Sequence, residues 1–252
     1  MRSATVRADA LDAANRSRPS RRWIWRWATR FQVAAIGLLL ARAVAIEAYK
    51  IPSTSMEGTL LAGDFLLVNK LAFGAAVPLV GWRTPGWTSP RAGEVVVFAW
   101  PPDPSTDFVK RVVGAAGDTV SMVRGVLYRN GAPAREPYLA RGGDGEGDRT
   151  AEPLPWSGAE VFGWQRPHLS APQPYYFPSR DDWGPLVVPV GHIFVLGDNR
   201  DNSLDSRYWG FVPDSLLRGT PLAVYYSYRP DSSATAPWVT RVRWSRIGRR
   251  VH

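Results

Sequence analysis

The sequence predicts a mainly β protein, built of antiparallel β-sheets, with one N-terminal transmembrane helix. Its 252 residues include 22 prolines and 23 glycines, which interrupt regular structure along the chain. Aromatic residues make up 12% of the chain and include 12 tryptophans, and such side chains favour strands. Beyond residue 51, short β-branched or aromatic runs alternate with Gly, Pro, Asp and Asn, which is the pattern of short strands joined by turns.

The most apolar stretch of the chain, Phe31–Ala48, differs from this pattern, although it contains Arg42 and Glu47. At about 1.5 Å per residue it gives a helix of roughly 27 Å, close to the thickness of a bilayer core. Residues 1–30 contain eight arginines and two aspartates, and a basic flank favours the cytoplasmic side of a membrane. We therefore predict a cytoplasmic basic segment at 1–30, a transmembrane anchor at 31–49 and an extracytoplasmic β domain at 50–252. An interfacial helix is the alternative for the apolar stretch.

Seven runs within the β domain have the composition of strands. They are 65–68, 94–100, 108–113, 119–123, 126–129, 192–196 and 222–228. Gly125 and the Asn130-Gly131 pair are typical of tight hairpin turns. Residues 131–190 are rich in Gly, Pro and Trp and have weak periodicity, so we interpret them as an irregular insertion or a small second lobe.

The composition excludes several kinds of site. The chain has no cysteine, which excludes disulfides and cysteine-based metal sites or nucleophiles. Its histidines, His168, His192 and His252, include no pair at metal-ligand spacing, so we expect no metal and no cofactor. The net charge of +9 is concentrated at the two ends of the chain. It therefore indicates membrane topology rather than a nucleic-acid partner.

Ser55 and Lys110 are the first candidates for chemistry. Ser55 follows a Pro-Ser turn soon after the apolar stretch. Lys110 lies in an otherwise apolar run, where strand alternation places it on the face of Phe108 and Val112. Burial lowers the pKa of a lysine, which could then accept the serine proton. The strand pattern alone nevertheless favours a plainer interpretation, a surface lysine whose amine reaches solvent.

A polar loop at 197–207 is dense in Asp, Asn and Arg. Asp198, Asp201 and Asp205 could be calcium ligands, but their spacing does not match an EF-hand loop. Asp205 and Arg207 have the i, i+2 spacing of neighbours on one strand face. We expect them to form an ion pair of structural importance.

Together the three segments resemble the type I signal peptidases, a family of serine/lysine peptidases. The family's nucleophile box is matched at Pro52–Leu60, its lysine box at Lys110–Asp118, and its polar loop at 197–207. Gly58 stands where the family usually has Pro, and it has more conformational freedom to lose. Thr54 stands where Gly or Glu is commoner.

The resemblance implies a membrane-bound serine endopeptidase that removes N-terminal signal peptides from exported preproteins after small residues. Ser55 would be the nucleophile and Lys110 the general base. The Ser55 N–H and the Ser53 hydroxyl would form the oxyanion hole, and Ser203 would orient the lysine. Further implied residues are Asp205, Arg207 and Arg111 as structural support, and Met56, Leu60, Phe108 and Val109 as the substrate pocket. The protein would cross the inner (cytoplasmic) membrane once, with its catalytic domain periplasmic or otherwise extracytoplasmic.

Other interpretations stay open from the sequence. A self-cleaving protease of the SOS-repressor type also uses Ser and Lys, but it needs a DNA-binding helix-turn-helix where this chain has a basic, apolar N-terminus. The others are a specialised signal peptidase for a dedicated substrate, a non-catalytic membrane-tethered β-domain adaptor, and a calcium-binding adhesion module. The expected partners are exported preproteins and membrane lipid, and we expect a monomer.

Overall fold

A computed structural model describes residues 21–74, 84–140, 159–230 and 237–252. The chain divides into two compact units, Met1–Ala43 and Val44–His252. Helix α1 (Arg21–Ala45) accounts for the described part of the first unit. Within the described residues, no helix is both long enough and apolar enough to cross a membrane. Residues 1–20 of the predicted cytoplasmic segment 1–30 lie outside the described residues.

The predicted anchor helix at 31–49 is wrong for its last four residues, 46–49, which are not helical. Helix α1 ends at Ala45, and strand β1 (Ile46–Lys50) follows at once. β1 pairs antiparallel with a strand whose register runs from Ile46 opposite Asn69 to Lys50 opposite Phe65. A backbone partner about twenty residues away decides this, and local hydropathy does not report such a partner.

The domain that follows is built from antiparallel strands. They are β1, β2 (Asp64–Asn69), β3 (Val95–Trp100), β4 (Asp103–Gly114), β5 (Thr119–Val123), β6 (Val126–Arg129), β7 (Ala132–Pro133), β8 (Trp183–Val187), β9 (His192–Leu196), β10 (Val212–Pro213) and β11 (Leu217–Ser227). One sheet has the order β1-β2-β11-β3-β4-β9-β10, and the other has the order β7-β6-β5-β8. The predicted mainly β, antiparallel architecture is confirmed.

Helical segments are short beyond α1. They are α2 (Ser206–Trp209), α3 (Pro237–Thr240) and 3₁₀ turns at Ala159–His168, Arg200–Asn202, Asp214–Leu216 and Trp244–Arg246. They join or cover the ends of strands, and the sheets form the frame of the domain.

Two tight turns join β5, β6 and β7. Arg124 and Gly125 have φ values of 49° and 76°, and Asn130 and Gly131 have 53° and 79°. Positive φ at both central residues is the signature of the type I′ turn, whose twist matches paired strands. The predicted hairpins are therefore confirmed. Segment 131–190 contributes β7 and β8 to the same sheet as β5 and β6. Its described part is therefore not a separate lobe.

Buried apolar side chains join the two sheets. Phe194 of β9 belongs to the same buried cluster as Val120 of β5, Leu127 of β6 and Leu186 of β8. Fully burying a side chain of this kind contributes roughly 1.5–3 kcal/mol. β3 is buried at every position except Trp100, because it lies inside the larger sheet. β4 pairs with β3 and β9, so a residue at the centre of β4 is held on both sides.

Candidate active site

The loop between β1 and β2 carries the candidate nucleophile. Its ends are closed by two backbone bonds, from the Ile51 N–H to the Asp64 carbonyl at 2.8 Å and from the Gly63 N–H to the Ile51 carbonyl at 2.8 Å. Met56 packs in the core cluster beneath the loop, while Ser55 lines a cleft. The loop is therefore anchored in the core next to its serine.

Leu60 does not line the cleft, so its predicted role in the pocket is wrong. The Leu60 N–H donates to the Met56 carbonyl at 2.8 Å, which makes a helical turn of this segment. The turn directs Leu60 into the core, where it is 0% exposed and lies with Leu66 and Val68.

Ser55 and Lys110 meet across the site. Lys110 Nζ donates to Ser55 Oγ at 2.6 Å, and both residues are buried, with 4% and 8% of their surface exposed. The plainer sequence interpretation of a solvent-reaching lysine is thus wrong, because the cleft walls enclose the amine. Phe108 lies on the same face of β4, with its ring centre 5.2 Å from Lys110 Nζ. The Ser53 hydroxyl oxygen is 3.3 Å from that of Ser55.

The polar loop after β9 lies directly against the nucleophile. The Asn199 N–H donates to the Ser55 carbonyl at 3.1 Å. A Cβ at Gly197 would lie 2.5 Å from that same carbonyl oxygen and would overlap the side chain of Ser203, so only glycine fits there. Ser203 is buried, and its hydroxyl makes no hydrogen bond in the part of the chain that the structure describes. Ser203 and Lys110 both line the cleft, and the orienting role of Ser203 stays a prediction.

Asp205 and Arg207 form a fully buried ion pair beneath this loop. Arg207 Nε donates to Asp205 Oδ1 at 2.8 Å and Nη2 donates to Oδ2 at 3.0 Å. Asp205 also accepts from the Gly197 N–H at 3.1 Å, and it caps helix α2. The predicted pair exists, but a helix cap brings the two residues together rather than strand alternation. Burial acts to raise the pKa of Asp205, but the Arg207 charge and the hydrogen bonds hold it below its ordinary value.

Arg111 connects the three sequence boxes. Its Nε and Nη2 each donate to one Asp198 carboxylate oxygen at 2.7 Å. Nη2 also donates to Thr59 Oγ1 at 3.0 Å, and Thr59 donates to Asp198 at 2.6 Å. The residue after Lys110 thereby ties the nucleophile loop to the polar loop, in agreement with its predicted structural role.

The carboxylates of the polar loop are each paired with an arginine. Asp198 pairs with Arg111, Asp205 with Arg207, and Asp201 with Arg180 at 3.1 Å. They are thus directed to three different cations rather than towards one shared point. This arrangement contradicts the calcium-loop interpretation.

The cleft has a volume of about 420 Å³. Its walls are residues 49–56, residues 106–110, residues 201–204 and Tyr208. Met56, Phe108 and Val109 line it, and their role as a substrate pocket stays a prediction. Tyr49 was not predicted. Burial, with the charges of Asp107 and Glu47, raises the pKa of the Tyr49 hydroxyl well above its ordinary value.

Comparison with known proteins decides the family. The family model described as signal peptidase, peptidase S26, matches residues 24–226. The chain belongs to the signal peptidase family. A signal peptidase I of Pseudomonas fluorescens is 35% identical over 220 residues, which are 81% of this chain and 73% of that protein. That of Pseudomonas aeruginosa is 35% identical over 218 residues with the same coverage, and that of Aquifex aeolicus is 34% identical over 223 residues, covering 78% and 82%.

The predicted family and enzyme class are thereby confirmed. The chain is a serine peptidase of the signal peptidase family, and its activity is that of the family. The boxes that carried the resemblance in the sequence are the segments that line or support the cleft in the fold. The family membership contradicts the adaptor and repressor-type interpretations.

Another buried ion pair, between Arg246 and Asp64, was not predicted from the sequence. Arg246 Nε lies 2.9 Å and 3.1 Å from the two Asp64 carboxylate oxygens, and Arg246 Nη2 donates to the Thr59 carbonyl at 3.0 Å. Ser227 donates to Asp64 at 2.7 Å. Burial acts to raise the pKa of Asp64, but the hydrogen bonds from Arg246, Leu61 and Ser227 lower it. The separation of 182 residues hid the pair, since only the fold places the C-terminal segment behind the nucleophile loop.

Gly58 replaces the family's usual proline, and its surroundings require glycine. Its φ is +105°, which proline cannot adopt because its ring holds φ near −65°. A Cβ at this position would lie 2.7 Å from the Tyr138 carbonyl oxygen. The turn after Ser55 is therefore closely packed against residues 138–140.

Restoring the family residue with Gly58→Pro is expected to destabilise this protein. Gly117→Ala is the matched control for Gly58→Ala, because Gly117 also has positive φ, 86°, but a Cβ there meets nothing within 4 Å. The control should cost about 1–3 kcal/mol of backbone strain. We expect Gly58→Ala to cost at least about 1 kcal/mol more, because the Tyr138 backbone must move, and Gly58→Pro to cost the most. Urea unfolding measures all three, and equal stability of Gly58→Pro and wild type would contradict the argument.

Proposed function

We propose that Ser55 is the nucleophile and Lys110 the general base with which this chain removes signal peptides from exported preproteins. The observation that carries the proposal is the buried 2.6 Å contact between Lys110 Nζ and Ser55 Oγ. A neutral Lys110 takes the Ser55 proton as Oγ attacks the scissile carbonyl carbon. The resulting ammonium gives that proton to the leaving amine as the C–N bond breaks. Water then hydrolyses the acyl-enzyme by the same proton transfers.

The oxyanion hole is proposed to consist of the Ser55 N–H and the Ser53 hydroxyl. The Ser53 oxygen lies 3.3 Å from Ser55 Oγ, which supports this role. One such donor is typically worth about 3 kcal/mol of transition-state stabilisation. Ser203 is proposed to orient the Lys110 ammonium, since its buried hydroxyl lines the same cleft.

We further propose the substrate preference and the location. Cleavage after small residues is supported by the apolar pocket side chains Met56, Phe108 and Val109, which line the cleft at the nucleophile. An anchor that crosses the inner membrane once, with the N-terminus cytoplasmic and the β domain outside, is supported by the apolar run in α1. Trp27 is exposed, with Arg30 over its ring at 5.4 Å, and such aromatic-basic pairs suit a lipid interface.

The test is cleavage of a purified preprotein by the full chain in detergent or lipid. Wild type should release the mature protein with the new N-terminus after a small residue, and Ser55→Ala should not. Ser89→Ala is the matched control, because Ser89 is an exposed serine outside the cleft, and it should cleave as wild type does. Wild-type-like turnover by Ser55→Ala would overturn the proposed nucleophile. A wild-type chain that bound preprotein without cutting it would overturn the proposal as well.

A further inference from the structure

Thr54 separates this chain from the pattern usual in its family, where Gly or Glu is commoner. Its hydroxyl oxygen accepts a hydrogen bond from Asn202 Nδ2 at 2.7 Å. Both residues line the cleft beside Ser55. A threonine therefore connects the nucleophile loop to the polar loop through its side chain, which glycine cannot do.

The carbonyl of the Thr54–Ser55 peptide and the carbonyl that follows it are also held. The Thr54 carbonyl accepts from the Glu57 N–H at 2.9 Å and from Asn199 Nδ2 at 3.4 Å. The Ser55 carbonyl accepts from the Asn199 N–H at 3.1 Å. The polar loop thus contacts this short segment at a side chain and at two successive carbonyls.

These contacts determine where the Ser55 N–H points. A trans peptide group is planar, and its C=O and N–H project from opposite edges. When the Thr54 carbonyl is held by Glu57 and Asn199, the direction of the Ser55 N–H is set as well. Among the described residues, none accepts a hydrogen bond from that N–H.

We propose that Thr54 and Asn202 are positioning residues that hold the Thr54–Ser55 peptide group in the orientation needed to stabilise the oxyanion. The inference rests on the proposed function, because the Ser55 N–H must be an oxyanion donor for its direction to matter. Neither side chain needs to touch the reacting atoms. Donors of this kind act by being oriented before charge develops, so a small tilt of the peptide weakens them.

Thr54→Val tests the hydroxyl, since valine keeps the branched shape and removes the acceptor. We expect kcat to fall roughly tenfold, the rate equivalent of one neutral hydrogen bond, with KM changed less than about twofold. Thr54→Ser is the matched control because it keeps the hydroxyl, and it should stay within about twofold of wild type. Asn202→Ala should repeat the Thr54→Val loss, and the double variant should be no slower than the slower single variant.

Binding measurements separate positioning from a merely structural role. Ser55 Oγ adds to the carbonyl carbon of a peptide aldehyde, its proton passes to Lys110, and the former carbonyl oxygen then occupies the oxyanion position. We expect Thr54→Val to weaken this aldehyde roughly tenfold. In a Ser55→Ala background the same change should leave the affinity for an uncleaved signal peptide unaltered. The thermal unfolding midpoint and the pH profile of the rate should also stay the same.

Two outcomes would overturn the inference. Unchanged kcat and unchanged aldehyde affinity in Thr54→Val would show that the hydroxyl does not position the peptide. Equal weakening of the aldehyde and of the uncleaved peptide would show that the contact only shapes the cleft. Failure of the proposed function looks different, because it would appear as an inactive wild type or an active Ser55→Ala.

Discussion

Replacing Lys110 by methionine is expected to lower kcat/KM for preprotein cleavage by about a thousandfold while the protein stays folded. The Lys110 amine lies within hydrogen-bond distance of Ser55 Oγ, at 2.6 Å, and loss of a general base typically costs 10²- to 10⁴-fold. Methionine has a similar length and no charge. Its burial at a position that is 4% exposed is therefore favourable.

The chain offers a matched control, because its lysines are residues 50, 70 and 110. Lys70 pairs with Glu47 at 3.2 Å, away from the cleft, so Lys70→Met should retain wild-type turnover. Single-turnover cleavage and thermal unfolding of both variants provide the comparison. A Lys110→Met enzyme with more than a tenth of wild-type activity would contradict the base assignment. A wild-type rate that did not rise with pH between 5 and 10 would contradict it equally, since only the neutral amine accepts a proton.

Removing the Arg207 side chain is expected to cause the largest loss of stability, about 3–5 kcal/mol in Arg207→Met. The Asp205 carboxylate has no exposed surface, and the substitution leaves it buried without its cation. It also removes the hydrogen bond from Arg207 Nη2 to the Arg200 carbonyl at 2.8 Å. Because Asp205 holds the Gly197 N–H, the polar loop should shift, and activity should fall with stability.

The stability lost in Arg207→Met should become smaller as the pH falls. In the wild type the pKa of Asp205 is lowered in the folded state. Its contribution is therefore complete above the unfolded pKa of about 3.9 and is lost as pH falls through the folded value. Arg207→Met lacks this contribution. The difference in unfolding free energy between this variant and wild type should therefore be largest near pH 7 and should decrease as the pH falls.

Urea unfolding at several pH values measures this difference. Arg180→Met is the control, since Arg180 forms its ion pairs with Asp181 and Asp201 at the surface, and it should lose no more than about 1 kcal/mol. A similar loss in both variants, or a difference that is constant with pH, would show that burial of the Asp205–Arg207 pair is not the source of the effect.

Local sequence signals predicted the strands whose ends are marked by turn residues. β5, β6 and β9 have the predicted bounds, because Gly125 and Asn130-Gly131 adopt positive φ at the hairpins whatever else surrounds them. β8 was missed because Gly184 and Pro185 interrupt it. Proline donates no hydrogen bond, and it is tolerated here because β8 lies at the edge of its sheet.

The family, the β architecture and the candidacy of Ser55 and Lys110 for chemistry could be predicted from the sequence, because box motifs and turn residues are local features. The burial of Lys110, the place of Leu60 in the core and the pairing of Asp64 with Arg246 could be seen in the folded chain alone. The fold also brings Asn199 to the Thr54 and Ser55 carbonyls and Asn202 to the Thr54 hydroxyl. Each of these depends on which distant segment packs against a residue, and burial and pairing are properties of the folded neighbourhood rather than of the local pattern.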